Sequence, residues 1–195
     1  MKMIRVLLAV SIMFACFAVV PVPKIAVAMV GWVGAGGSPY IGNASPQPLD
    51  INVSNNSGNS AASSLALDPS GNPCIAWYDA TPGNEEIFFA RWNGSSWVNA
   101  SGATLTATNG NASQNSGDSI CPSLQLDSSG NPCVAWEDRS LGNYEILYIK
   151  WNGTQWVNVQ GQPYPSNSAV VSQQDSRDSG LPCLILDKNN NPCIS

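Results

Sequence analysis

The sequence predicts an all-β chain built from repeated four-stranded antiparallel units. Three observations carry that prediction. The 195 residues include 7 Trp and 17 Gly but only 11 % charged residues, a balance that suits strands and turns better than helices. Apolar residues show no helical period over any useful length. The chain also repeats itself at a spacing of 59 to 60 residues, and self-similarity at such a period marks a repeat architecture.

The first element is a targeting segment. Lys2 and Arg5 precede an apolar run from Val6 to Val20, which Pro21, Pro23 and Lys24 interrupt. Ala26-Val27-Ala28 places small residues at the −3 and −1 positions of a cut after Ala28. That layout predicts a secretory signal peptide over residues 1–28. A retained anchor and a lipoprotein cut before Cys16 are the alternatives; the run is shorter than the ~20 residues of a spanning helix. Loss of Lys2, Arg5 and Lys24 leaves five cations against 13 carboxylates, so the charge moves from −5 to −8. An acidic chain without basic clusters excludes nucleic acid as a partner, since that binding rests on Lys and Arg. The absence of His excludes histidine bases and histidine metal sites in this stretch.

The repeats follow over residues 29–195. SLALDPSGNPCIAWYD (64–79), SLQLDSSGNPCVAWED (123–138) and CLILDKNNNPCIS (183–195) align without gaps. EIFFARWNGSSWVNASG (86–102) and EILYIKWNGTQWVNVQG (145–161) form the second half of the unit. Each unit reads as four strands. The first covers 65–67 or 124–126. An Asp-x-x-Gly-Asn turn follows, in which Asp68, Asp127 and Asp187 accept backbone N–H bonds and Gly71 and Gly130 supply a positive φ. The second strand opens at Pro73 or Pro132, a position a strand tolerates for proline. The third covers 87–92 or 146–151. Asn93-Gly94 and Asn152-Gly153 predict type I′ hairpin turns, and the fourth strand holds Trp97-Val98 or Trp156-Val157.

Such a unit buries both faces only by stacking on copies of itself, and radial stacking gives a β-propeller. The expected fold is therefore a partial β-propeller of about two and a half blades: 61–102, 120–161 and a partial blade at 181–195. A further outer strand is expected at 30–40, where Trp32-Val33 and Gly37-Ser38-Pro39-Tyr40 match Trp156-Val157 and Gly161-Gln162-Pro163-Tyr164. A two-sheet sandwich is the runner-up. Because the third unit stops inside its second strand, the remaining blades of a longer chain are expected partners, with exposed sheet edges and marginal solubility when they are lacking.

The pattern P-S-L-x-L-D-x-x-G-N-P-x-I-A-W-x-D, followed by E-I-x-Y-x-x-W-N-G-x-x-W, resembles the repeats of secreted bacterial propellers in the sialidase-like superfamily. The resemblance covers nearly all of residues 30–195 and implies six to eight blades in a whole propeller. Two departures separate the chain from sialidases. Gly71 and Gly130 stand three residues after Asp68 and Asp127, where a sialidase Asp-box has Gly two after Asp. Past the signal, Arg91, Arg139 and Arg177 form no arginine triad.

The candidate chemistry is sparse. Trp92, Trp97, Trp151 and Trp156 flank the hairpins, where their faces could stack on sugar rings with Asn93 and Asn152 as hydrogen-bond partners; the competing reading is a cross-strand Trp pair that pins the hairpin. Trp77 and Trp136 are expected in the core. Asp79 with Glu86, and Asp138 with Glu145, could act as acid and base on a glycoside, but recurrence in both blades favours a loop brace. Cys74, Cys133 and Cys193 are expected as small buried residues, and a Cys121–Cys183 bridge is conceivable. No metal or cofactor is expected, and calcium at the Asp turns lacks the six to eight oxygens it needs. The expected function is a secreted or surface-located, non-catalytic propeller that binds glycans or a cell-surface partner. A structural repeat of a larger surface protein and a fragment of a sialidase-like glycosidase are the alternatives.

Overall fold

A computed structural model describes residues 34–37, 52–165, 169–172 and 176–195. The expected signal peptide lies outside them. Of the expected outer strand at 30–40, only residues 34–37 are described; they make a turn closed by the Gly37 N–H on the Gly34 carbonyl at 2.9 Å.

The chain is all-β. Strands β1 (Ser60–Leu67), β2 (Pro73–Asp79), β3 (Glu86–Trp92) and β4 (Trp97–Val98) make one antiparallel sheet. Strands β5 (Ser119–Leu126), β6 (Pro132–Asp138), β7 (Glu145–Trp151) and β8 (Trp156–Val157) make a second sheet of the same order. β9 (Leu184–Leu186) and β10 (Pro192–Ile194) pair as a hairpin. These are successive blades of a partial β-propeller.

The first strand of each of the first two blades is longer than the pattern at 65–67 and 124–126 predicts. A bulge lies between Ala61 and Ser64 in β1 and between Ile120 and Ser123 in β5. Ala62 and Cys121 sit in it at φ of 48° and 52°, and Leu181 repeats the conformation at 55°. An extra residue breaks the alternation of side chains, so the polar half of the strand has no period to read. The fourth strand is split as well. β4 pairs with the end of β3, while the connection to the next blade flanks its start, through Phe89 N–H to the Gly110 carbonyl and Ala112 N–H to the Ile87 carbonyl.

Small side chains on one face of a blade receive large ones from the next. Cys74, Ala76, Ile87 and Phe89 of the first blade meet Leu124, Val134, Trp136 and Leu147 of the second. Cys133, Ala135, Ile146 and Tyr148 repeat that face and take Leu184. A hydrogen bond accompanies each seam: Leu124 N–H to Ser64 Oγ at 3.0 Å, and Leu184 N–H to Ser123 Oγ at 2.9 Å. The outward face of the first blade carries Ile75, Trp77, Phe88 and Ala90, with Leu65 and Leu67 exposed beside them.

The cysteine expectations divide. Cys74 and Cys133 are buried, Cys193 is exposed, and Cys121 and Cys183 form no bridge; all five are free thiols. Burial pushes the Cys74 thiol up to about 11, so it stays protonated as a small core residue.

Candidate functional site

The turn residues Asp68, Asp127 and Asp187 are placed alike. Asp68 Oδ1 accepts the N–H groups of Ser70 at 2.9 Å and Asn72 at 2.7 Å, and Oδ2 accepts Asn72 Nδ2 at 3.0 Å. Asp127 makes the same bonds to Ser129 and Asn131, and Asp187 to Asn189 and Asn191. The Asn72 and Asn191 amides, aided by backbone N–H groups, hold Asp68 and Asp187 below the usual carboxylate range. Gly71 and Gly130 occupy the left-handed position at φ of 82° and 80°, and Asn190 takes it in the third turn at 62°. With its oxygens committed, this turn is occupied by its own backbone.

The recurring carboxylates are likewise enclosed. Asp79 Oδ2 accepts Asn56 Nδ2 at 2.8 Å, Ser60 Oγ at 2.6 Å and the Trp77 indole N–H at 3.1 Å, while Oδ1 takes Thr81 N–H at 2.9 Å. Burial alone would push Asp79 up, but the bonds from Ser60, Thr81 and Asn56 outweigh it and hold the group low. Asp138 repeats the cage with Asn115, Ser119, Trp136 and Ser140. Glu86 accepts Asn84 Nδ2 at 2.9 Å, the Asn115 N–H at 3.2 Å and the Ser113 hydroxyl. Here burial wins over those bonds and pushes the carboxyl up. Glu145 repeats the brace with Asn143 and Ser172. Asn115 joins two blades, donating its backbone N–H to Glu86 and its amide to Asp138 at 2.6 Å. The residues that complete these cages were missed from sequence. Their signal is a second repeated string, Asn56-Ser57-Gly58-Asn59-Ser60 and Asn115-Ser116-Gly117-Asp118-Ser119, which places an amide and a hydroxyl at each Asp.

The two Trp hairpins are built alike. Trp92 and Trp97 are cross-strand partners with ring centroids 5.7 Å apart and planes at 69°. Trp151 and Trp156 stand at 5.5 Å and 76°. Their loops are not the expected type I′ turns. That turn needs a positive φ at both central residues, and only Gly94 and Gly153 have one, at 96° and 98°. Asn93 instead caps the loop: its Oδ1 accepts Ser95 N–H at 2.9 Å, Ser95 Oγ at 3.0 Å and Ser96 N–H at 2.9 Å. Asn152 does the same for Thr154 and Gln155. Both amide oxygens therefore serve the turn.

The surroundings of the two hairpins differ. Trp156 is packed into the seam between blades, edge-on to Phe89 at 6.2 Å and 82°. Trp97 instead borders an open cleft of about 570 Å³. Trp92 and Trp97 form its aromatic side; Asn52, Ser54, Ser96 and Thr104 are among its polar groups. The Trp97 indole nitrogen is buried there without a hydrogen-bond partner. A buried donor usually has one; this N–H has no accessible surface, so it is the indole ring of Trp97 that borders the cleft. The volume falls in the ~300–1,000 Å³ range of small-molecule sites. Among the described residues, no cluster of three His, Cys, Asp or Glu could hold a metal ion.

No protein-family model matches the chain, and no curated protein matches it. Among solved structures, a fucose lectin from Kordia zhangzhouensis in complex with methyl-fucoside is similar at a TM-score of 0.41 and 20 % identity, covering 68 % of this chain and 80 % of the lectin. An endo-1,4-beta-xylanase from Bacteroides thetaiotaomicron is similar at 0.41 and 18 % identity, covering 70 % of this chain and 47 % of the xylanase.

Proposed function

We propose that this chain is an exported propeller segment that binds glycans in the cleft beside Trp92 and Trp97 and does no catalysis of its own. The observation that carries the reading is the open cleft of about 570 Å³ with Trp92 and Trp97 on its aromatic side and Asn52, Ser54, Ser96 and Thr104 among its polar groups. A sugar ring offers an apolar C–H face to an indole and hydroxyls to amides and hydroxyls, and aromatic sites with a few placed polar groups suit such ligands. Export rests on the Lys2 and Arg5 region, the apolar run and the Ala26-Val27-Ala28 site. The absence of catalysis is supported by Asp79, Asp138, Glu86 and Glu145, each engaged by donors of its own loops. Kinship with sialidase-like propellers rests on the repeat pattern alone.

A second reading has its own observation. Leu65 and Leu67 are exposed on the outward face of the first blade, which favours a structural repeat in a larger surface protein, covered there by another blade.

Glycan-array screening of the 195-residue chain, followed by calorimetry of any hit, decides between them. Glycan binding that weakens about tenfold in Trp97→Phe, which keeps an aromatic ring but shrinks the stacking face, supports the first reading. An array with no hit at any sugar overturns it.

A further inference from the structure

We propose that the outward edge of the first blade is an acceptor for one kind of strand: the glutamate-led third strand of another blade of this repeat, locked by Ser54 through its glutamate and supplied from outside these 195 residues. This goes beyond the glycan reading and rests on the second reading above, in which another blade covers that face.

Two connections in the chain clamp the third strand of the blade they leave. Between the first and second blades, Ala112 N–H goes to the Ile87 carbonyl at 2.6 Å, Ile87 N–H to Ser113 Oγ at 2.7 Å, and the Ser113 hydroxyl to Glu86. Past the second blade, Val171 N–H goes to the Ile146 carbonyl at 2.9 Å, Ile146 N–H to Ser172 Oγ at 2.9 Å, and the Ser172 hydroxyl to Glu145. In each clamp one serine accepts the N–H that follows the glutamate and donates to the glutamate itself. The pair fixes strand and register together, and a hydrogen bond to a charged acceptor is the stronger kind.

The connection that enters the first blade is built the same way. Asn52-Val53-Ser54-Asn55-Asn56 aligns with Asn111-Ala112-Ser113-Gln114-Asn115. Asn52 Oδ1 accepts the Asn55 N–H at 3.1 Å, as Asn111 Oδ1 accepts that of Gln114 at 3.1 Å. Asn55 and Gln114 share an unusual backbone, at φ of 39° and 43°. Asn56 donates to Asp79 as Asn115 does to Asp138. Ser54 therefore holds the place of Ser113. Its hydroxyl meets Asn52 Oδ1 at 3.4 Å, well beyond the ~2.7–2.8 Å of a typical O–H···O bond.

The strand that fits this clamp is not one of the chain's own. Residues 1–84 contain no Glu, so nothing that precedes the first blade supplies one. The two glutamate-led strands present, β3 and β7, are locked by Ser113 and Ser172, and a second copy would have to open one of its own seams to donate either. The face beside the clamp suits the same occupant. Leu65 and Leu67 are exposed and correspond to Leu124, which stands on Cys74 and Ala76, and to Leu126, which packs beside it. The occupant thus joins a glutamate-led third strand to a second strand of the Cys-x-Ala kind, and it docks by adding a strand at an open edge. Asn52, Val53 and Ser54 also line the cleft at Trp97, so a docked strand and a glycan exclude each other.

The test is fluorescence anisotropy on the full chain with a dye-labelled peptide of residues 84–92, Asn-Glu-Glu-Ile-Phe-Phe-Ala-Arg-Trp, and with the same peptide carrying Glu86→Gln. The Glu peptide is expected to bind about tenfold more tightly than the Gln peptide, and about tenfold more weakly to Ser54→Ala than to the wild type. Ser54→Ala is expected to keep the urea midpoint of the wild type. Equal binding in all combinations overturns the glutamate clamp and leaves the blade-covering reading standing, and so does a peptide that fails to bind. Self-association of the wild type that Ser54→Ala dissolves, read by sedimentation equilibrium, makes a second copy the occupant and also overturns the proposal. A dye that fluoresces on apolar surface reports on the blade-covering reading by itself. Fluorescence that falls in the Leu65→Gln, Leu67→Gln double variant supports that reading; fluorescence that the double variant leaves unchanged overturns it.

Discussion

Leu65 and Leu124 hold the same place in successive blades, yet Leu65 is 66 % exposed and Leu124 only 2 %. Leu124 stands on the Cys74 and Ala76 floor of the first blade; Leu65 has no such floor. The repeat thus contains its own control. Leu124→Ala is expected to cost about 2–5 kcal/mol, through lost transfer energy and a cavity at the seam. Leu65→Ala is expected to stay within about 0.5 kcal/mol, as for other surface changes. Urea unfolding of both variants checks this, and equal costs would refute the seam as the main source of stability.

Trp97 and Trp156 should separate binding from stability in the same way. Trp156→Ala removes an indole packed against Phe89 and should cost about 3–5 kcal/mol. Trp97→Phe leaves most of the ring and should cost far less, while weakening glycan binding. Melting curves and calorimetry on the same preparations test the split. A Trp156→Ala protein that melts like the wild type but binds less would reverse the assignment.

The blades themselves were legible because the 59-residue spacing repeats Asp68, Cys74, Trp92 and Trp97 in register, and because Trp97-Val98 and Pro73 mark strand limits through side-chain type. What escaped notice was made of polar residues whose partners are distant in sequence. Ser60 and Asn56 look like loop residues until Asp79 is placed beside them. The bulge at Ala62 leaves no trace in composition, since alanine rarely takes a φ of 48°. The Trp pairs were legible as partners from the W-N-G-x-x-W spacing, but their unequal surroundings were not. Nothing in either hairpin says that Phe89 covers Trp156 while Trp97 borders a cleft; that difference belongs to the neighbouring blade.

Asp79 and Glu86 should give opposite pH dependences. Asp79 is held below its ordinary value by Ser60, Thr81 and Asn56 against the pull of burial. Its contribution is full above the unfolded value of ~3.9 and is lost as pH falls through the folded one. Glu86 is pushed up by burial. The fold then carries a penalty that is absent below ~4.3 and grows as pH rises toward the raised value. Subtracting the Glu86→Gln unfolding free energies from those of the wild type should give a difference that falls across that window. The Asp79→Asn difference should fall with acidification below pH ~4. Flat differences in both would show that the two groups titrate alike in folded and unfolded chains.

Phe89 and Tyr148 occupy equivalent strand positions, and both are buried. The Tyr148 hydroxyl has only the Cys133 thiol, a weak hydrogen-bonding group, beside it, and burial pushes its ionisation far above the ordinary phenol value. It is therefore a neutral donor withdrawn from water for little return, a situation that costs about 1–3 kcal/mol where no partner replaces the water. Tyr148→Phe makes the second blade resemble the first and should raise stability by about 1 kcal/mol, the gain being reduced by the small void left behind. Phe89→Tyr is the converse: it puts an unpaired hydroxyl into the seam beside Trp156 and should lower stability by about 1–3 kcal/mol. Paired urea titrations of the two variants settle the point. A Tyr148→Phe protein less stable than the wild type would mean that the hydroxyl finds a partner in solution.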